Sequence, residues 1–265
     1  MSDDRTLTER LERLWRQFGT GIAFTLFGVG GLFLTLLVFP FINLAFRDRD
    51  RRALAAQRTV HATWKLFIRI VVALGVIEVE TDGEALLQSD TGTLVIANHP
   101  SLLDVVLIMS LMTRTQCVVK RGVWKNPFMR GVVRAANYIP NLGDPERTLS
   151  DCVAALRAGN NLVIFPEGSR TVPGRAIHLE RGFANIAIRA GAPIRLVTVS
   201  CTPPMLRKGE KWYQSPMRRP RYRVRVCDQM DTQDLYKSDT PSRDARRLTA
   251  HVTKRFEELL ANESA

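Results

Sequence analysis

The pattern of apolar and polar positions changes period several times along the chain, and each period predicts a different element. The first event is the run from Gly21 to Phe46, which contains no charged residue. As a straight helix rising 1.5 Å per residue it would span about 39 Å, more than the ~30 Å hydrocarbon core of a bilayer, so it predicts a membrane-anchoring segment. Residues 1–18 ahead of it read as a short amphipathic helix. That leader is long and carries acids as well as bases, and no A-x-A site follows the run, which argues against a cleaved secretory signal. Arginines flank the run on both sides (Arg10, Arg13, Arg16, then Arg47, Arg49, Arg51, Arg52), so the positive-inside rule favours both flanks in the cytoplasm. A re-entrant hairpin bent at Gly28, Gly30 and Gly31, with Pro40 as a second break, satisfies both flanks; a tilted single span is the alternative.

From Leu54 the apolar residues Trp64, Phe67, Ile68 and Val71 recur at i, i+3, i+4, i+7, which is one face of a helix. Such a helix fits either the lipid interface or the surface of a globular core. Beyond residue 76 short apolar strands alternate with helices. "VIEVE", "TLVIAN", "CVVK", "YIP", "LVIF", "PIRLVTVSC" and "RYRVRVC" read as strands. "SLLDVVLIMSLM", "NPFMRGVVRAA", "ERTLSDCVAALRAG", "ERGFANIAIRAG" and a final helix with Leu248, Val252, Phe256, Leu259 and Leu260 on one face read as helices. The pattern predicts an α/β fold, a mostly parallel or mixed sheet flanked by helices, with an N-terminal hydrophobic membrane-anchoring helix or helical hairpin. Residues 1–60 form the amphipathic and anchoring segment on this reading, and residues 61–265 the α/β domain.

Composition narrows the partners. With 265 residues, 45% of them apolar, the chain can bury one sizeable core with an appendage. The formal charge of +12 and a pI near 10.2 predict attraction to something anionic. A membrane segment in the same chain and the lack of any recognition motif argue against nucleic acid. Arg207, Lys208, Lys211, Arg218, Arg219, Arg221, Arg223 and Arg225 form a basic stretch that either recruits an anionic lipid or acidic carrier protein, or is a solvated strand face. Cys117, Cys152, Cys201 and Cys227 lie far apart, without ligand spacing or a disulfide framework, and fit a reducing compartment.

Two stretches could carry chemistry. In "ANHPSLLD" (97–104) a neutral His99 could take a proton from a hydroxyl while Asp104 fixes its tautomer. Five residues along a regular helix are rotated by roughly 140°, so the pair can meet only if His99 stands on the loop and Asp104 on the first helical turn. Pro100 and a capping Ser101 fit that start. "FPEGSR" (165–170) follows another apolar strand, where open α/β sheets bind ligands. Gly168 permits close backbone approach, Ser169 offers a hydroxyl, and Arg170 has the fork geometry that suits phosphate. No G-x-S-x-G elbow is present, which argues against a serine hydrolase.

Taken together, "NHPSLLD", the basic "VVKRGVWKNPF", "FPEGSR" and "APIRLVTV" resemble, in order and spacing over residues 60–205, the glycerolipid acyltransferases that include 1-acylglycerol-3-phosphate acyltransferases. The resemblance makes residues 61–265 an acyltransferase domain. It implies that His99 is the general base on an acceptor hydroxyl and Asp104 its orienting partner. The acyl group would come directly from acyl-CoA or an acyl carrier protein thioester, with no acyl-enzyme, cofactor or metal. It also implies acceptor binding by Asn98, Lys120, Glu167, Gly168, Ser169 and Arg170, and a donor-side role for the strand opened by Pro193. Lysophospholipid-type acceptors, a membrane-lipid partner, and the cytoplasmic face of a bacterial inner membrane complete the expectation. One motif departs: "NYIPNLGDPER" puts Asn141 where the family has an arginine for the acceptor phosphate, unless Arg147, Arg175 or Arg181 substitutes. That departure leaves room for a specialised lipid or polyene acceptor. A non-catalytic lipid-binding scaffold of the same fold is the alternative that intact His99, Asp104 and Glu167 argue against.

Overall fold

A computed structural model describes residues 2–172, 177–232 and 240–264 of the chain. Among them seven strands form one sheet in the order β1-β7-β6-β2-β5-β3-β4. The strands are β1 (Glu78–Asp82), β2 (Leu94–Ala97), β3 (Thr115–Lys120), β4 (Ile139–Asn141), β5 (Asn161–Ile164), β6 (Ile194–Thr202) and β7 (Arg221–Met230). β2 to β6 all run the same way, while β7 lies antiparallel to β6 and carries β1 parallel to itself. The sheet is therefore mixed with a parallel centre, as the strand-helix alternation predicts.

Both faces are covered, which is why β2 reads as an unbroken apolar run with Leu94 to Ala97 fully buried. On one face Val95, Ala97, Cys117, Val119 and Val163 pack under α3 (Arg49–Ala73), α5 (Asp104–Met109) and α7 (Arg130–Ala135). On the other, Leu94, Ile96, Leu162 and Leu196 meet α8 (Pro145–Arg157), α9 (Gly182–Ala190) and α10 (Pro241–Ser264). Two short helices, α4 (Glu84–Ser89) and α6 (Arg121–Lys125), were not foreseen. Each is too short for a hydrophobic period to show.

Strand β7, between the edge strand β1 and β6, settles one alternative. Tyr222, Val224 and Val226 point into the core, while Arg221, Arg223 and Arg225 point out beside Glu78, Glu80 and Asp82 of β1. Arg221–Glu78 and Arg223–Glu80 close to 3.0 Å, and Arg225 stands 3.9 Å from Asp82. This part of the basic stretch is a ladder of exposed ion pairs, not a free positive face.

At the N-terminus the amphipathic leader and the apolar run are one object. Helix α1 (Ser2–Phe33) continues through a π-helical turn at Leu34–Val38 into α2 (Phe39–Ala45). The hairpin bend is absent, because the glycines serve contact instead of turning. A Cβ on Gly31 would stand 2.3 Å from the Phe128 carbonyl oxygen, and one on Gly131 would stand 2.2 Å from the Thr35 side chain. These glycines let α1 and the π-helical turn approach the α7 region closely. Pro40 sits in the first turn of α2, where its missing N–H is tolerated. The proposed division at residue 60 falls inside α3, which packs on α1, α5 and α7.

Along α1 and α2 apolar side chains also face outward. Leu11, Phe18, Val29, Phe33, Phe41 and Leu44 are all more than half exposed, and they recur at helical spacing. By length and composition, Leu7–Ala45 could cross a membrane. The close approach at Gly31 makes a test. Gly31→Ala is expected to destabilise the protein by about 1–3 kcal/mol through overpacking. Gly30→Ala, with nothing within 4 Å, should be neutral or stabilising. Thermal unfolding of the detergent-solubilised protein compares the two.

Candidate active site

The parallel centre of the sheet decides where the chemistry gathers. β2, β3, β4, β5 and β6 all end on one side, so the residues that follow them converge: His99, Lys120, Asn141, Gly168 and the segment after Thr202. A cavity of about 830 Å³ opens among these strand ends and runs between α1, α3 and the sheet. Its deep part is apolar, with Ala23, Phe27, Trp64, Phe67, Val71 and Val119 on its wall.

His99 stands on the loop and Asp104 is the first residue of α5, so the two do not share a helix face problem. His99 Nδ1 lies 2.9 Å from Asp104 Oδ2. The same oxygen accepts the Ser101 backbone N–H at 2.6 Å. Ser101 Oγ accepts the Leu103 N–H at 3.3 Å while the Asp104 side chain reaches back to the Ser101 N–H, so Ser101 caps the turn that leads into the helix as the sequence suggests, although regular helix begins only at Asp104. Asp104 is fully buried, and its Oδ1 has no hydrogen-bond partner. Desolvation raises its pKa from 3.8 to about 6, against the lowering effect of the His99 and Ser101 hydrogen bonds. While Asp104 is ionised, Nδ1 must donate to it, which leaves Nε2 of a 17%-exposed imidazole as the proton acceptor at the cavity.

The His99 backbone is held as firmly as its ring. Its N–H donates to Glu167 Oε1 at 3.0 Å and to Thr171 Oγ1 at 3.1 Å, and its carbonyl accepts from Thr171 N at 2.7 Å. Thr171 Oγ1 in turn donates to Glu167 Oε1 at 2.6 Å. The Phe165 ring lies 4.4 Å from the imidazole, centroid to centroid. Gly168 has φ +64, a left-handed turn conformation that suits glycine, and its carbonyl accepts from Lys120 Nζ at 2.6 Å.

The residues expected on the acceptor divide accordingly. Lys120, Gly168, Ser169 and Arg170 line the cavity with His99. Asn98 does not: it is buried, its Nδ2 donates to Val199 O at 2.8 Å, and its Oδ1 accepts from Val199 N at 2.7 Å. Both amide atoms are engaged by β6, so Asn98 fixes the end of β2. Glu167 also stays off the cavity wall, and its Oε1 holds the loop that carries His99. Asn141 lines the cavity, while Arg147 and Arg181 do not, and Arg175 lies outside the described residues. Thr171 and Tyr222 are contributions that local sequence patterns do not reveal. Tyr222 Oη and Ser101 Oγ are 2.7 Å apart across 121 residues. Cys117 also reaches the cavity, but burial pushes its thiol up to about 12, so it is not a thiolate nucleophile. Among the described residues no cluster of His, Cys, Asp and Glu could hold a metal ion.

Residues 78–202 match the family model described as Acyltransferase. A chloroplastic 1-acyl-sn-glycerol-3-phosphate acyltransferase of Brassica napus is 28% identical over 72% of this chain and 56% of its own length. The 1-acyl-sn-glycerol-3-phosphate acyltransferase alpha of Mus musculus is 25% identical over 80% of this chain and 72% of its own. The chain spans little more than half the length of the Brassica protein and 37% of a chloroplastic relative from Arabidopsis thaliana. The crystal structure of the 1-acyl-sn-glycerophosphate acyltransferase from Thermotoga maritima superposes with a TM-score of 0.69 at 21% identity, covering 96% of this chain and 98% of that one, which shows a shared fold. These likenesses support a glycerolipid acyltransferase family related to the 1-acylglycerol-3-phosphate acyltransferases.

The raised pKa of Asp104 gives a pH prediction with a definite sign. With His99 as the base, the carboxylate would orient it and stabilise the imidazolium, and the carboxylate gains a proton as pH falls. Acyl transfer is therefore expected to decline as pH drops through about 6. Asp104→Asn should lower kcat by roughly 10⁴-fold, and a kcat–pH profile of the wild type checks the acid limb.

Proposed function

We propose that the protein is a membrane-associated O-acyltransferase that moves a fatty acyl group from acyl-CoA or an acyl carrier protein thioester to the hydroxyl of a lysophosphatidate-type acceptor. The observation that carries it is the His99–Asp104 pair, 2.9 Å apart, at the mouth of an apolar cavity. His99 Nε2 removes the hydroxyl proton as the acceptor oxygen attacks the thioester carbonyl carbon. A tetrahedral intermediate forms, the C–S bond breaks, and the proton passes from the imidazolium to the departing thiolate. Asp104 stays ionised and offsets the imidazolium charge throughout. No side chain needs to be acylated, in keeping with a protonated Cys117.

The apolar cavity is suited to the acyl chain. The outward apolar residues of α1 and α2 suit a lipid interface from which both an acyl chain and a lipid acceptor can enter, and anchoring there raises their effective concentration. Four free cysteines and arginines on both flanks of the apolar helix fit the cytoplasmic face of a bacterial inner membrane. Membranes containing wild type or His99→Ala, supplied with lysophosphatidate and either thioester donor, provide the test. Thiol release is expected to fall by about 10²–10⁴-fold in the variant. Equal release from both would refute His99 as the base.

A further inference from the structure

Tyr222 differs from its neighbours on β7. It points into the core with Val224 and Val226 and is fully buried, yet it carries a hydroxyl. A position that only had to fill space could hold phenylalanine, since a buried hydroxyl costs stability unless it is hydrogen-bonded. The Tyr222 Oη lies 2.7 Å from Ser101 Oγ, and it also hydrogen-bonds the side chain of Cys201, its cross-strand partner on β6.

Ser101 is the residue through which this hydroxyl reaches the His99–Asp104 pair. Its backbone N–H donates to Asp104 Oδ2 at 2.6 Å, the same oxygen that faces His99 Nδ1, and its Oγ accepts the Leu103 N–H at 3.3 Å. Asp104 Oδ1 has no partner, so among the described residues these two donors supply the hydrogen bonding of a fully buried carboxylate. Weakening either one falls directly on its ionised form. Glu167 acts in the opposite sense, its charge raising the Asp104 pKa, and no charged group of α3, which packs on α5, acts on it. Cys201 and Tyr222 are the other titratable side chains that face the carboxylate, and burial raises the pKa of both, so they stay neutral.

Resting on the acyltransferase reading above, we infer that Tyr222 is a positioning residue for the catalytic carboxylate: its hydroxyl fixes Ser101 so that the Ser101 N–H keeps Asp104 ionised for His99. With Ser101 loosened, Asp104 keeps one firm donor and takes up its proton at a higher pH than in the wild type. A protonated Asp104 no longer offsets the imidazolium, and acyl transfer declines.

Steady-state acyl transfer by the full chain in detergent-lipid micelles, with lysophosphatidate as acceptor and from about pH 5 to about pH 9, tests this. Tyr222→Phe keeps the ring and is expected to move the acid midpoint of kcat upward by about 0.5–1 pH unit. Its deficit against the wild type is then largest at acid pH and narrows as pH rises. Ser101→Ala should move the midpoint the same way, and the double variant no further than the larger single shift. Val224→Ala, which removes packing on the same face of β7, should lower thermal stability and leave the midpoint in place. An unmoved midpoint in Tyr222→Phe overturns the inference. So does a loss by one factor at every pH or an equal shift in Val224→Ala, either of which indicates a structural role, and so do additive shifts in the double variant, which separate the two hydroxyls. A wild type that turns over without an acid limb has no carboxylate for Tyr222 to hold ionised, and overturns it too. If the wild type acylates no acceptor, the reading beneath the inference has failed, a result distinct from any of these.

Discussion

A carboxylate held where charge is costly organises this protein. Asp104 is fully buried, one of its oxygens has no partner, and its pKa is raised accordingly. Such a group is tolerable only if the surrounding backbone is fixed well enough to keep His99 and the Ser101 N–H against its other oxygen. Most of the polar contacts around the site do that work. Asn98 locks the end of β2 to β6, Glu167 and Thr171 hold the His99 backbone, and Tyr222 holds Ser101. Asn98 follows β2, Glu167 and Thr171 follow β5, and Tyr222 opens the antiparallel β7, so the mixed sheet brings the carboxyl ends of its parallel strands and the start of β7 together at the site.

The sequence carried the strands, most helices and the H-x4-D pair clearly, because these are local signals. Alternation on β7 and the apolar runs of β2 and β5 are set by burial of adjacent residues. The family resemblance rested on local motifs too. What was not legible depends on partners far along the chain. Asn98 precedes His99 and Glu167 stands in the FPEGSR motif, and no local pattern shows that Asn98 and Glu167 Oε1 brace the chain around His99 through partners 68 to 101 residues away. The glycines at 28, 30 and 31 look like a bend until Phe128 is placed against Gly28 and Gly31. The acidic residues of β1 decide the fate of the arginines on β7, and no window that contains one contains the other.

The segment between β6 and β7 brings these strands of argument together. At its start, Leu206 and Arg207 are bonded to Arg170, and Leu206 also to Leu102. Further on, Arg13 Nε donates to Ser215 O at 2.9 Å, Gln17 Nε2 to Tyr213 O at 2.9 Å, and Arg16 Nη2 to Met217 O. Trp212 packs against Phe24, with ring centroids 6.4 Å apart. One stretch of chain therefore ties the apolar helix to the loop beside His99. In the proposed reading this fixes the angle between the lipid-facing stripe and the cavity mouth. The base at His99 then keeps a constant position relative to the surface from which the acceptor arrives. An anchor joined by a flexible linker would raise local concentration but leave that orientation to chance; direct bonding sets both, since the backbone groups engaged by α1 belong to the same segment that borders the site.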